Sequence, residues 1–110
     1  MARTREIALV CRIHAGGFSG ERIAQVTLAS GGVQMVLAPR HYCWNHDGRP
    51  LAPNQPELGH ALDGIVAARL IEEAQGVVKV TTPDGEVFVV SADTVKPRPE
   101  ASEIPLHVPV

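Results

Sequence analysis

The segment Val26–Ala38 reads VTLASGGVQMVLA, and 54 positions later Val80–Ala92 reads VTTPDGEVFVVSA. Six of the 13 aligned positions are identical, among them a glycine in the middle of each segment. Upstream, Arg12-Ile13 matches Arg69-Leu70 if the intervening loop of the second copy is three residues shorter. An internal repeat of this kind predicts architecture better than any isolated segment.

Alternating apolar residues predict three strands in the first copy. Residues 7–13 and 24–28 carry apolar side chains at every second position, the period of a half-buried strand. A third strand follows from the alternating Val33, Met35 and Leu37, and Pro39 stops it. Between the second and third strands, Ser30-Gly31-Gly32 predicts a tight hairpin, since glycine tolerates the positive φ that such turns require.

The beginning of the second copy supports two interpretations. Ala67, Leu70, Ile71 and Ala74 have helical spacing, and Gly76 suits the end of a helix. The repeat instead predicts a strand, because this stretch occupies the place of the first strand of the first copy. We favour the strand, since local helix propensity is readily overridden by tertiary context.

The predicted fold is therefore all-β: a small six-stranded barrel or sandwich built from two repeated three-strand meanders. The units are residues 5–42 and 63–96, joined by loop 43–62 and followed by a Pro-rich extended tail at 97–110. The alternative is an α+β fold with a helix near 65–75. The strands and turns of the second copy resemble those of SH3-like small barrels, from Asp63-Gly64 to Val95-Lys96-Pro97, a likeness that by itself implies no function.

Composition places the chain among globular proteins, with 45% hydrophobic and 20% charged residues. Residues 1–50 carry a net charge of +3 and residues 51–110 a net charge of −5, and such opposite poles could steer self-association. Two cysteines are too few for a disulfide scaffold, and the longest apolar stretch near the start is too short to span a membrane. The sequence thus predicts a cytoplasmic protein with reduced thiols.

The loop after the first copy holds the densest group of reactive side chains. His41, Cys43 and His46 could bind zinc, which favours imidazole and thiolate ligands. Cys11 and His14 share the Cys-x2-His spacing of Cys43 and His46, so the two pairs could supply four ligands. Of the two thiols, Cys11 is expected to be buried and inert, and Cys43 to be the more accessible.

The same loop allows two further interpretations. A Cys nucleophile with a His base would make it catalytic, but nothing in the sequence indicates a thiol of lowered pKa, so we lean against an enzyme. Arg40, Tyr42, Trp44 and Arg49 form a basic and aromatic group that could bind nucleic acid. With only two lysines and a net charge of −2, the chain lacks the strong basic stripe that phosphate contacts normally demand.

The tail carries an apolar stripe. Pro105 and Pro109 exclude a helix, and in an extended chain the apolar side chains share one face; they belong to Ile104, Leu106, Val108 and Val110. A disordered terminus is the plain alternative. We favour a non-enzymatic protein-binding or assembly module that associates with itself, requires no cofactor, and uses the tail together with the 40–49 loop.

Overall fold

A computed structural model describes residues 5–99 of the chain, which form one curled antiparallel sheet shaped like a half-barrel. The strands are β1 (Arg5–Ala15), β2 (Glu21–Thr27), β3 (Val33–Pro39), β4 (Cys43–Asn45), β5 (Ala61–Ala74), β6 (Val77–Thr81), β7 (Val87–Ser91) and β8 (Val95–Pro97). Short 3-10 turns at Arg40–Tyr42 and Ala92–Thr94 precede β4 and β8. The all-β prediction is confirmed: among residues 5–99 there is no α-helix.

The stretch with helical spacing forms the longest strand, β5. It pairs with β1 along ten consecutive residues, from Ala61 to Leu70. Within this ladder Val66, Ala68 and Leu70 point into the core at the strand period of two. The long-range pairing with β1 overrides the local helix propensity, and the helical alternative is excluded.

The sheet consists of the two predicted meanders. Its strand order is β3-β2-β1-β5-β6-β7, so β3 and β7 lie at the two ends. The β2–β3 and β6–β7 hairpins have the same register at an offset of 54: Thr27 pairs with Val33, and Thr81 pairs with Val87. The predicted repeat is thus a structural repeat.

The equivalent turns explain why the glycines recur. In each hairpin an amide bonds back across three residues, from Gly31 to Leu28 and from Gly85 to Thr82, both at 2.9 Å. Both glycines have positive φ, 98° and 87°. This is the hairpin with a bulged glycine, a position at which a side chain would strain the backbone.

The first strands of the two copies follow an offset of 57, as the match between Arg12-Ile13 and Arg69-Leu70 predicts. The connection is five residues long in the first copy (16–20) and two in the second (75–76). At this offset Leu9 and Val66 are equivalent, and they pair with each other across β1 and β5. The copies are therefore related by a pseudo-two-fold axis near this pair.

Two short strands absent from the sequence prediction reinforce this symmetry. The stretch predicted as loop 43–62 begins with β4, which pairs with β5 of the other copy. In the same way β8 pairs with β1. Cys43 opposite Val66 corresponds to Val95 opposite Leu9. Each copy thus contributes a final strand that pairs with the first strand of the other copy, and this exchange joins the two halves of the chain into one folding unit.

The core is aliphatic and lies inside the curled sheet. Its largest completely buried side chains are supplied by both copies: Leu9, Ile13, Val26, Val36, Cys43, Val66, Val78, Val80 and Val90. A smaller cluster lies on the other side of the β1–β5 pair and consists of Ala8, Trp44, Ile65 and Ala67. Among the described residues, no helix is long and apolar enough to cross a membrane.

Candidate protein-binding surface

The 40–49 segment consists of the Arg40–Tyr42 3-10 turn, β4 and the turn that follows β4. The guanidinium of Arg40 donates to the carbonyl of Leu51 at 2.8 Å, and the carboxamide oxygen of Asn45 accepts the amides of Asp47 and Arg49. Asn45 thereby closes the loop on itself, a local role typical of asparagine in turns. The side chains of Arg40 and Asn45 thus have structural partners within or next to the segment.

Only one of the two thiols lies where the sequence predicted. Cys11 is buried, as expected, but the prediction that Cys43 is the more accessible thiol is wrong, because Cys43 is completely buried and Cys11 retains 6% exposure. Burial raises the pKa of Cys43 to about 12 and raises that of Cys11 as well. Pairing of β4 with β5 carries Cys43 into the core. Both thiols are therefore held in the protonated form, whereas a nucleophile or a metal ligand must be a thiolate.

Both thiols are expected to resist labelling in the folded protein. At pH 8, an aromatic disulfide reagent should leave Cys11 and Cys43 unmodified over minutes and react with both after addition of guanidinium chloride, because burial blocks access and disfavours the thiolate. Mass spectrometry of the labelled chain assigns each site. Fast labelling of Cys43 alone in the native protein would contradict its place in the core.

The candidate metal ligands are not brought together. His41 packs against Tyr42 with ring centroids 4.5 Å apart, and the Nε2 atom of His46 lies 3.4 Å from a carboxylate oxygen of Asp47. His14 bonds Gln25 at 3.0 Å. Within residues 5–99, no three His, Cys, Asp or Glu side chains are grouped so that they could hold a metal ion.

The predicted basic and aromatic group is divided by the fold. Trp44 is 3% exposed and packs in the smaller cluster, so its indole cannot stack on a ligand. Arg40 is half-buried and bonded to Leu51. Of the four residues in this group, only Tyr42 and Arg49 have exposed side chains. The tail residues Ile104, Leu106, Val108 and Val110 lie outside the described residues.

A different surface stands out where the ends of the sheet meet. On the outer faces of β3 and β7, five aliphatic side chains are between 39% and 53% exposed: Val33, Met35, Leu37, Val87 and Val89. We call this set the seam stripe. Val33 and Met35 of the first copy correspond to Val87 and Val89 of the second, so the stripe follows the pseudo-two-fold symmetry.

The two end strands approach each other without forming a ladder. The amide of Leu37 on β3 donates to the Asp84 carboxylate at 3.0 Å, and the amide of Ala29 donates to the carbonyl of Val89 on β7 at 2.9 Å. Within residues 5–99, β3 pairs only with β2 and β7 only with β6. Among residues 5–99, these two hydrogen bonds join the end strands, and no ladder pairs the main-chain groups on their outer edges.

The sequence predicts β3 but does not predict the stripe. Of the residues from Val33 to Ala38, only Gln34 is polar, so both faces of the strand are apolar and alternation cannot show which one is inside. The fold places Val36 and Ala38 in the core and leaves the alternate residues, Val33, Met35 and Leu37, on the outer face.

Comparison of the chain with protein-family models, with characterised proteins and with solved structures finds no match.

Proposed function

We propose that this protein is a non-enzymatic protein-binding module that associates with itself through the seam stripe. The observation that carries the proposal is the placement of five exposed aliphatic side chains along two strands whose outer edges are largely unpaired. Contiguous exposed apolar patches on small proteins commonly mark interaction sites. An SH3-like arrangement of the second copy would suit such a role.

The composition of the end strands supports this proposal. Natural sheets protect exposed edges with lysine, with inward charges or with proline, because an unprotected edge pairs with other chains. β3 carries no charged residue and has a proline only at its last position, Pro39, and β7 carries neither a charge nor a proline. Edges of this kind suit strands that are covered in an assembly.

The opposite net charges of the two halves of the sequence, +3 and −5, favour head-to-tail contact between two molecules. The reactive side chains give no competing support: the thiols are buried and the candidate ligands are dispersed. With Trp44 buried and Arg40 engaged, a nucleic-acid interface in the 40–49 segment also loses its two strongest members.

Replacing Met35 with lysine should weaken self-association. Met35 lies in the middle of the stripe with 53% of its surface exposed, so a charge there would be desolvated on association but tolerated in the monomer. Sedimentation velocity should show an oligomer for the wild-type chain and a lower mass for Met35→Lys at equal concentration. The matched control is Leu58→Lys, at an 85% exposed leucine outside the stripe, which should keep the wild-type mass.

Circular dichroism should show the same β-rich spectrum for all three proteins, so that a change in mass reports the interface and not the fold. A monomeric wild-type chain across the accessible concentration range would refute self-association. Equal loss of mass in both variants would show that the stripe is not the contact surface.

A further inference from the structure

We propose that the open edge of β3 binds residues 104–110 of a second molecule of this protein as an added antiparallel strand. This inference rests on the proposed self-association and names the segment that occupies the surface. It joins the seam stripe, which the fold exposes, to the apolar stripe that the sequence places in the tail.

The direction of the β3 main chain follows from its pairing with β2. Leu28 bonds Gly32, and Arg40 bonds Gly20, so the hydrogen-bonded pairs of this hairpin are the even-numbered ones. Because bonded and non-bonded pairs alternate in an antiparallel ladder, the amides and carbonyls of residues 33, 35 and 37 point away from β2. The bond from the Leu37 amide to Asp84 shows this direction. The main chain of Val33 and Met35 therefore faces the open edge.

The same residues carry the apolar side chains of the outer face. Val33, Met35 and Leu37 are each about half exposed, whereas Val36 and Ala38 are buried. At the open edge, hydrogen-bonding capacity and outward apolar side chains thus coincide at the same positions. A strand that adds here must match both features at once.

The tail sequence has this match. In an extended chain, residues 104, 106, 108 and 110 direct their main-chain groups to one edge and their apolar side chains to one face. Residues 105, 107 and 109 direct theirs to the opposite edge, and two of these three are Pro105 and Pro109, which lack an amide hydrogen. The tail can therefore form a complete ladder only on the side of its apolar residues.

Antiparallel addition brings the two stripes together. Residues directly opposite each other in an antiparallel ladder place their side chains on the same face. If the amides of Ile104, Leu106 and Val108 bond the open edge of β3, their side chains lie beside those of Val33 and Met35 on the outer face. The prolines then face away from β3 and prevent a further strand from pairing, which limits the growth of the sheet.

The course of the chain favours binding of the tail to β3 of a second molecule over binding to β3 of its own molecule. β8 runs antiparallel to β1 from Leu9 towards Ile7, whereas β2 pairs with β1 only at residues 12–15. β8 thus runs in the same sense as β2 and away from the Leu37 end of β3, which lies across β2 from His14 and is where an added antiparallel strand would begin. Pro97 and Pro99 stiffen the exit from β8, so a return to β3 of the same molecule would need a reversal within the few residues before Ile104.

Backbone methylation tests the ladder directly. The full-length protein is studied by sedimentation velocity in the presence of a synthetic peptide of residues 101–110, which should compete with the tail and lower the oligomeric mass. An N-methyl group at Leu106 removes a donor that faces β3 and should raise the peptide concentration needed for half dissociation by about tenfold or more. The matched control carries the N-methyl group at His107, which faces away, and should compete within about twofold of the unmodified peptide.

The outcomes separate this inference from the proposed function. An oligomer that persists in excess peptide leaves self-association standing and overturns the tail as its ligand. Equal competition by both methylated peptides would show that the tail binds without the proposed ladder. A full-length chain that is monomeric at every concentration overturns both proposals, and a monomer whose residues 104–110 are protected from protease would place the tail on its own molecule.

Discussion

Replacing Gly64 with alanine is expected to lower the free energy of unfolding by about 3 kcal/mol. Gly64 lies on β5 between Cys11 of β1 and Asn45 of β4. A Cβ atom at this position would come within 3.0 Å of the Trp44 carbonyl oxygen and of the Ile13 Cδ1 atom. The oxygen belongs to the main chain of β4, so relief requires β4 to move and the buried Ile13 side chain to repack.

Urea unfolding followed by circular dichroism measures this effect. The control is Gly20→Ala, because a Cβ at Gly20 meets no atom within 4 Å and its φ is not in the positive range. That variant should be as stable as the wild type or slightly more so, through a smaller entropy of the unfolded chain. If Gly64→Ala retained wild-type stability, β4 could not lie against β5 as described.

The second large effect is expected at Arg22, whose side chain is only 3% exposed. Its guanidinium donates to the carbonyls of Ser19, Pro53 and Gln55 at 2.7 to 2.8 Å. It thereby ties the β1–β2 connection to the segment after Leu51. Arg22→Met keeps much of the side-chain volume but leaves these carbonyls without their donor, at a cost of about 2–4 kcal/mol.

Stability against urea and limited proteolysis together test this role. Besides the lower stability, Arg22→Met should speed cleavage within residues 52–58, the segment that loses its anchor. Arg12→Met is the matched control: Arg12 bonds Asp63 at 3.0 Å, but both side chains are more than half exposed, so the loss should be at most about 1 kcal/mol. Comparable losses in the two variants would contradict the anchoring role of Arg22.

Arg22 also shows what sequence patterns do not reveal. It occupies an inward position of β2, in phase with the buried Ala24 and Val26, and directly follows the acidic Glu21. Its partners are main-chain carbonyls, two of them more than 30 residues away. Carbonyl acceptors are present at every residue, so no residue type marks such a site in advance.

The repeat, the hairpins and the all-β class could be predicted because their causes are local. Gly31 and Gly85 recur because the same bulged turn requires a positive φ at both positions. The three-residue difference between the copies is a difference in one connection, which the alignment already shows. Each of these features depends on a few adjacent residues and survives in the sequence as a pattern.

The remaining features were decided by contacts between distant segments. β5 is a strand because β1 pairs with it, although its own residues also suit a helix. Cys43 and Trp44 are buried because β4 joins β5, some 20 residues further along the chain. On β3, where both faces are apolar, only packing of the barrel chose which one to bury. The sequence alone thus determined how the chain turns and repeats, whereas the tertiary structure decided which apolar side chains remain exposed, because burial depends on what each face meets in space.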